Sequence, residues 1–100
     1  MASSAADVRV PQAVGLAISD DTLSVDLSDG RTIAVPLAWY PRLLHARPAE
    51  RKNWRLIAGG DGVHWPDLDE DISVAALLAG QPSGETERSL KEWLAGRSHR

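Results

Sequence analysis

The chain has no cysteine and no phenylalanine, one tyrosine and one methionine, and no apolar run near the roughly 18 to 20 residues that a membrane-spanning helix needs. Without cysteine there is no disulfide framework, thiolate metal site or cysteine nucleophile, which suits a cytoplasmic setting. The opening residues, Met1 to Asp7, lack the charged start and long apolar stretch of a secretory leader and read as a frayed tail. A basic excess is missing too: 11 Lys and Arg against 14 Asp and Glu leave a formal net charge of -3, which argues against generic nucleic-acid binding. Nor do 100 residues leave room for two cores. The expectation is one soluble domain held by packing alone.

What is present begins as a sheet. Val14, Leu16 and Ile18, then Leu23, Val25 and Leu27, then Ile33, Val35 and Leu37 fall at alternate positions, separated by Asp20-Asp21 and Ser28-Asp29-Gly30. This predicts a three-strand antiparallel meander with Gly30 taking positive φ at its second turn. One face of each strand is apolar and the other polar, so the sheet should be covered on one side, by helices. Beyond Pro36, Trp39, Leu43, Leu44 and Ala46 switch to helical spacing, predicting a short helix over 39–46, and a second turn begins at Pro48 with Glu50 near its start. Arg55-Leu56-Ile57-Ala58 and Val63-His64-Trp65 read as two short strands about Gly59-Gly60-Asp61-Gly62, which the meander could take as partners.

Ser73 is a favourable N-cap for Val74 to Ala79, with Gly80 beyond its end and Ile72 placed to staple onto Leu77. Residues 81–84 read as a linker. Glu85 to Leu94 read as an amphipathic helix carrying Leu90, Trp93 and Leu94 on one side, able to dock on its own sheet or on another chain. The fold class is therefore α+β: a three-strand meander plus two short strands, covered on one face by short helices, with a C-terminal amphipathic helix. Its organisation is a tail over 1–7, a domain over 8–80, a linker over 81–84, and a C-terminal helix and tail over 85–100.

The segments Leu27-Ser28-Asp29-Gly30-Arg31, Val35-Pro36-Leu37, Trp39-Tyr40-Pro41-Arg42-Leu43, Glu50-Arg51, Asn53-Trp54 and His64-Trp65-Pro66-Asp67-Leu68-Asp69-Glu70-Asp71-Ile72-Ser73-Val74 together resemble the small prokaryotic DUF2442 family over about residues 14–80. The resemblance implies an α+β fold and a bacterial source, and no established activity. It also implies, through members that sit beside a partner gene, an antitoxin-like role. Arg47 departs from the Ser or Thr expected to cap the turn at Pro48, which puts that turn's firmness in doubt.

The charges divide into blocks. Arg42, Arg47, Arg51, Lys52 and Arg55 face only Glu50 in sequence, whereas Asp61, Asp67, Asp69, Glu70 and Asp71 have no cation among them, so the blocks could pair, Asp71 with Arg42 or Arg51. Asp67, Asp69 and Asp71 alternate as oxygen ligands do, but the sixth and twelfth positions of a calcium loop starting at Asp67 hold Ile72 and Leu78. The simpler reading is that Asp69, Glu70 and Asp71 favour the start of the following helix. His45 and His64 form no recognisable catalytic set with these acids; His64 reads as a packed or hydrogen-bonded strand residue, His45 as a surface group, and His99 as part of a tail. The glycine run lacks the Lys-Ser/Thr of a phosphate loop. Trp39 and Trp54 are expected in the core, because a chain without phenylalanine depends on its tryptophans for bulk, and the segment from Pro48 is too short to serve as a DNA recognition helix.

These considerations favour a non-enzymatic protein-binding module without cofactor or metal. Its candidate interaction residues are Arg42, Arg51, Arg55, Asp69, Glu70, Asp71, Leu90, Trp93 and Leu94, with exposed strand edges as the docking device and homo-oligomers open to the same edges. A cognate toxin is the implied partner, with neither membrane nor direct nucleic-acid contact. The competing classes are a metal-dependent or phosphate-binding enzyme using His64 and Asp67 to Asp71, and a nucleic-acid-binding accessory domain using the basic block.

Overall fold

The computed structural model of the protein describes residues 10–97, so the expectations for residues 1–7 and for His99 lie outside the described residues. Strands β1 (Ala13–Ile18), β2 (Thr22–Leu27) and β3 (Thr32–Pro36) form the predicted antiparallel meander. The Ser19 amide donates to the Thr22 carbonyl across Asp20-Asp21 (2.9 Å), and Gly30 takes φ 91° at the second turn. Leu23, Val25 and Leu27 face inward and are fully buried, while Ser24 and Asp26 face away.

One expectation on β1 is corrected. Val14 does not share the inward face with Leu16 and Ile18, because a bulge between Ala13 and Gly15 shifts the register by one residue. With a side-chain period of two, that shift exchanges faces: Ala13 packs opposite Leu27 in the core and Val14 is left 59% exposed.

Beyond Pro36 the chain makes a 3₁₀ turn over Leu37–Trp39, then α1 (Pro41–Leu44) and α2 (Pro48–Lys52). The helix expected over 39–46 is thus shorter. Tyr40 precedes proline, is kept out of the helical region by the Pro41 ring, and sits at φ -125°, ψ 83°. At α2 the missing Ser or Thr is offset from the other side, since the Glu50 carboxylate accepts the Arg47 amide at 2.8 Å.

The strands that follow do not join the meander. β4 (Arg55–Ile57) pairs with β5 (Gly62–Trp65), and β5 pairs with a sixth strand, β6 (Glu70–Ser73), to make a second three-stranded antiparallel sheet. Of the residues read as helix-flanking acids, Glu70 and Asp71 are strand residues and Asp69 lies in the turn before them. β6 passes into α3 (Val74–Leu78) without a loop: Ser73 pairs with Gly62 and its Oγ accepts the Ala76 amide at 3.0 Å. Behind α3, Gly80 (φ 70°) donates to Leu77 and Gln81 donates to Ala76, closing the helix end in a Schellman arrangement.

The two sheets share one core. Leu23, Val25, Leu37 and Leu43 from the first half and Val63, Trp65, Leu68, Ile72, Val74 and Leu77 from the second are all buried in it. Gly60 (φ 102°) marks the seam, where a Cβ would lie 2.7 Å from the Ala13 carbonyl oxygen. Trp65 is the fully buried tryptophan, its indole N–H donating to the Arg51 carbonyl (3.1 Å); Trp39, Trp54 and Trp93 pack half-buried around this centre. The C-terminal helix, α4 (Glu87–Arg97), lies against the domain through Trp93.

Candidate functional site

The charged residues singled out in the sequence sort into three places. The first is a clasp beneath α4. Arg42, at the second position of α1, sends Nε and Nη2 to the Glu85 carboxylate (2.7 and 3.3 Å) and Nη1 to the Leu68 carbonyl (2.9 Å). Its guanidinium also lies 5.4 Å from the Trp93 ring centre, and that of Arg97 lies 4.5 Å from it. Arg97 in turn grips both oxygens of Glu50 on α2 (2.6 and 2.9 Å). Residues 81–84 are tied as well: the Ser83 amide donates to the Trp39 carbonyl and its Oγ accepts the Glu85 amide, both at 3.0 Å.

The electrostatics follow from these contacts. Hydrogen bonds from Arg97 outweigh burial and hold the Glu50 carboxyl at about 2. Burial opposes the charge of Glu85, but hydrogen bonds from Ser89 and Arg42 prevail and keep it below the ordinary carboxylate range. Glu70 behaves oppositely. It points into the core beside Trp65, and burial raises its carboxyl to about 7, against the attraction of Arg42 and with repulsion from Glu85, Asp71 and Asp69. Burial first, and then the Glu70 charge, raises the Tyr40 hydroxyl, which has no hydrogen-bond partner among the described residues.

The second place is the outer face of the second sheet. Arg55, His64 and Asp71 stand side by side on β4, β5 and β6, and His64 Nδ1 pairs closely with the Asp71 carboxylate. The expected pairing of Asp71 with Arg42 or Arg51 is therefore corrected: alternation along β6 turns Asp71 outward, away from both. The same alternation disperses the acidic segment. Asp67 accepts from the Asn53 side chain (3.0 Å), Asp69 takes φ 50° in the turn before β6, Glu70 turns inward and Asp71 outward. Among the described residues no three His, Asp or Glu side chains converge as a metal-holding group.

The third place is a groove of about 380 Å³ between the free side of β1, at Leu16 to Asp20, and Pro48, Arg51, Lys52 and Trp54. Arg51 donates to the Leu43 and Leu44 carbonyls (both 2.9 Å), which fixes its guanidinium at the end of α1 without neutralising it. Leu90, Trp93 and Leu94 lie half-buried on one side of α4, and His45 is exposed.

Sequence reasoning missed β6, the buried Glu70 and both arginine grips on α4. A signal for the first two existed, since Glu70, Ile72 and Val74 alternate with Asp69, Asp71 and Ser73. The arginine grips join residues more than forty positions apart, 42 to 85 and 50 to 97, and no local pattern marks them.

The sequence model of a family described as "Protein of unknown function (DUF2442)" matches residues 13–83. A crystal structure of a protein of unknown function from Rhodospirillum rubrum is similar at TM-score 0.65 and 28% identity, over 82% of this chain and 99% of that one. The solution structure of an uncharacterized protein from Chromobacterium violaceum is similar in fold at TM-score 0.62 and 18% identity, over 81% of this chain and 74% of that one. No functionally curated protein matches. Among the described residues no helix is long and apolar enough to cross a membrane.

Proposed function

We propose that this chain, which belongs to the DUF2442 family of proteins of unknown function, is a non-enzymatic protein-binding module, the antitoxin-like half of a bacterial pair. It acts by stoichiometric occlusion of its partner in the cytoplasm. The observation that supports this reading is where the polar groups point. Arg42, Glu50, Glu85 and Arg97 hold α4 to the domain, Arg51 closes α1, and Glu70 is buried beside Trp65. The surface left for action is strand edge, the exposed Arg55 and Asp71, and isolated apolar side chains such as Val14 and Leu56.

The test is recovery of the tagged chain, at native expression level, from its own host, followed by reconstitution of the complex from two purified chains. A single companion polypeptide in fixed stoichiometry, whose activity is blocked on reconstitution, is the expected result. A chain that recovers alone, or that binds magnesium, calcium, manganese or zinc saturably in calorimetry with loss on Asp69→Asn, sinks it in favour of the metal-dependent reading.

A further inference from the structure

We infer that the free edge of β1, with the groove it forms against α2 and Trp54, takes an extended acidic segment of a protein partner as an added strand. This rests on the protein-binding reading above and gives it a surface and a partner chemistry.

The backbone supplies the first part of the argument. The bond from the Ser19 amide to Thr22 fixes that pair as hydrogen-bonded, and antiparallel alternation makes Ala17 and Ser24 the next such pair. The N–H and C=O groups of Leu16 and Ile18 are therefore aimed away from β2. β1 is the outer strand of its sheet, and among the described residues nothing pairs with those groups. Outer strands are ordinarily guarded by charge, proline or a bulge. Of the four among the described residues, β3 ends in Pro36, β4 carries Arg55 and β6 carries Glu70 and Asp71. On β1 the bulge lies upstream at Ala13/Gly15, and Leu16-Ala17-Ile18 carries neither charge nor proline.

The groove supplies the second part. A strand added about 4.8 Å from β1 would send alternate side chains toward Trp54 and Pro48, into a space within the ordinary range of ligand sites. The wall of that space is cationic. Arg51 and Lys52 line it, and the acid of α2, Glu50, is occupied by Arg97 and the Arg47 amide. Among the described residues Asp20 is the one acid of the lining against these two cations, Arg51 and Lys52, so an incoming carboxylate is favoured over an incoming ammonium. Backbone bonds would give the affinity, and the charges the orientation.

The experiment is titration of the isotope-labelled full chain with two synthetic peptides, Asp-Glu-Val-Thr-Ile-Thr-Val-Thr and the same core with a Lys-Lys start, followed by amide and indole NMR signals. The acidic peptide is expected to move Leu16, Ile18 and the Trp54 indole saturably and to bind at least about tenfold more tightly than the basic one. Lys52→Glu, a surface change that leaves the core intact, should abolish that preference, and Ile18→Pro should remove an outward donor and weaken both. Equal binding of the two peptides, absence of binding, or shifts confined to β3, β4 or β6 overturns the proposal. A natural partner recovered in fixed stoichiometry but indifferent to Lys52→Glu and Ile18→Pro overturns this surface and leaves the binding reading standing. Recovery of the chain alone defeats that reading instead.

Discussion

Glu70 should make the folded domain less stable as pH rises from about 4.5 to about 7, and Glu70→Gln should remove that dependence. The carboxyl faces the core, and its value of about 7 lies well above the ordinary 4.5, so the folded state holds the proton more tightly than the unfolded chain does. Below about 4.5 the group is neutral in both states and costs nothing. Above about 7 it is charged in both, and the folded state bears the full desolvation. At about 1.4 kcal/mol per pH unit the difference comes to about 3 kcal/mol. Glutamine keeps the shape and never ionises, so the variant should match the parent at pH 4.5 and exceed it by up to about 3 kcal/mol at pH 8, a rise in melting temperature of roughly 10 to 20 °C for a domain of this size. Thermal and urea unfolding of both proteins from pH 4.5 to 8 would measure it. The comparison cancels the shared titrating groups that do not interact with Glu70. Curves separated by a constant amount at all pH values, or a variant weaker at pH 8, would refute the reasoning.

Trp93→Ala should free α4 while leaving both sheets folded, at a loss of about 2 kcal/mol, since the ring is only half-buried and its two arginine neighbours lose a face to lie on; hydrogen exchange should show residues 87–97 unprotected and the strands unchanged. Glu50, held at about 2, contributes stability that is complete above about 4.5 and lost as pH falls toward 2. Acid titration followed through Trp93 emission should therefore show helix release in that window, and Glu50→Gln should show it released already at neutral pH. Gly60→Ala should cost at least about 2 kcal/mol in urea unfolding, because the φ of 102° is unfavourable for any side chain and the new methyl meets the Ala13 carbonyl.

Much of the architecture was legible because it is written locally. The meander follows from alternation over Leu23, Val25 and Leu27 and from Asp20-Asp21 and Gly30, and α3 follows from Ser73 and Gly80, all of which act where the sequence places them. The bulge was not legible: Ala13 and Val14 are both acceptable inward residues, and only pairing with Leu27 decides between them. β6 was hidden by its acids, which suit a helix start as well as a strand, and Glu70 occupies a core position that composition would assign to an apolar residue. Trp93 was recognisable as an anchor, but not what it anchors to, since Arg42, Glu50 and Arg97 meet only after the chain has folded. For the candidate surface, Arg51 and Trp54 drew notice as a basic and an aromatic residue, whereas the bare backbone of Leu16 and Ile18 carries no side-chain mark at all.

The handover at Ser73 leaves the chain no slack. A single residue is the last rung of one ladder and the first hydroxyl of the next coil, so neither can dissolve without tugging the other apart. Slipping even two flexible residues between Ser73 and Val74 would sever that coupling, and a melt that had been one event would split into two.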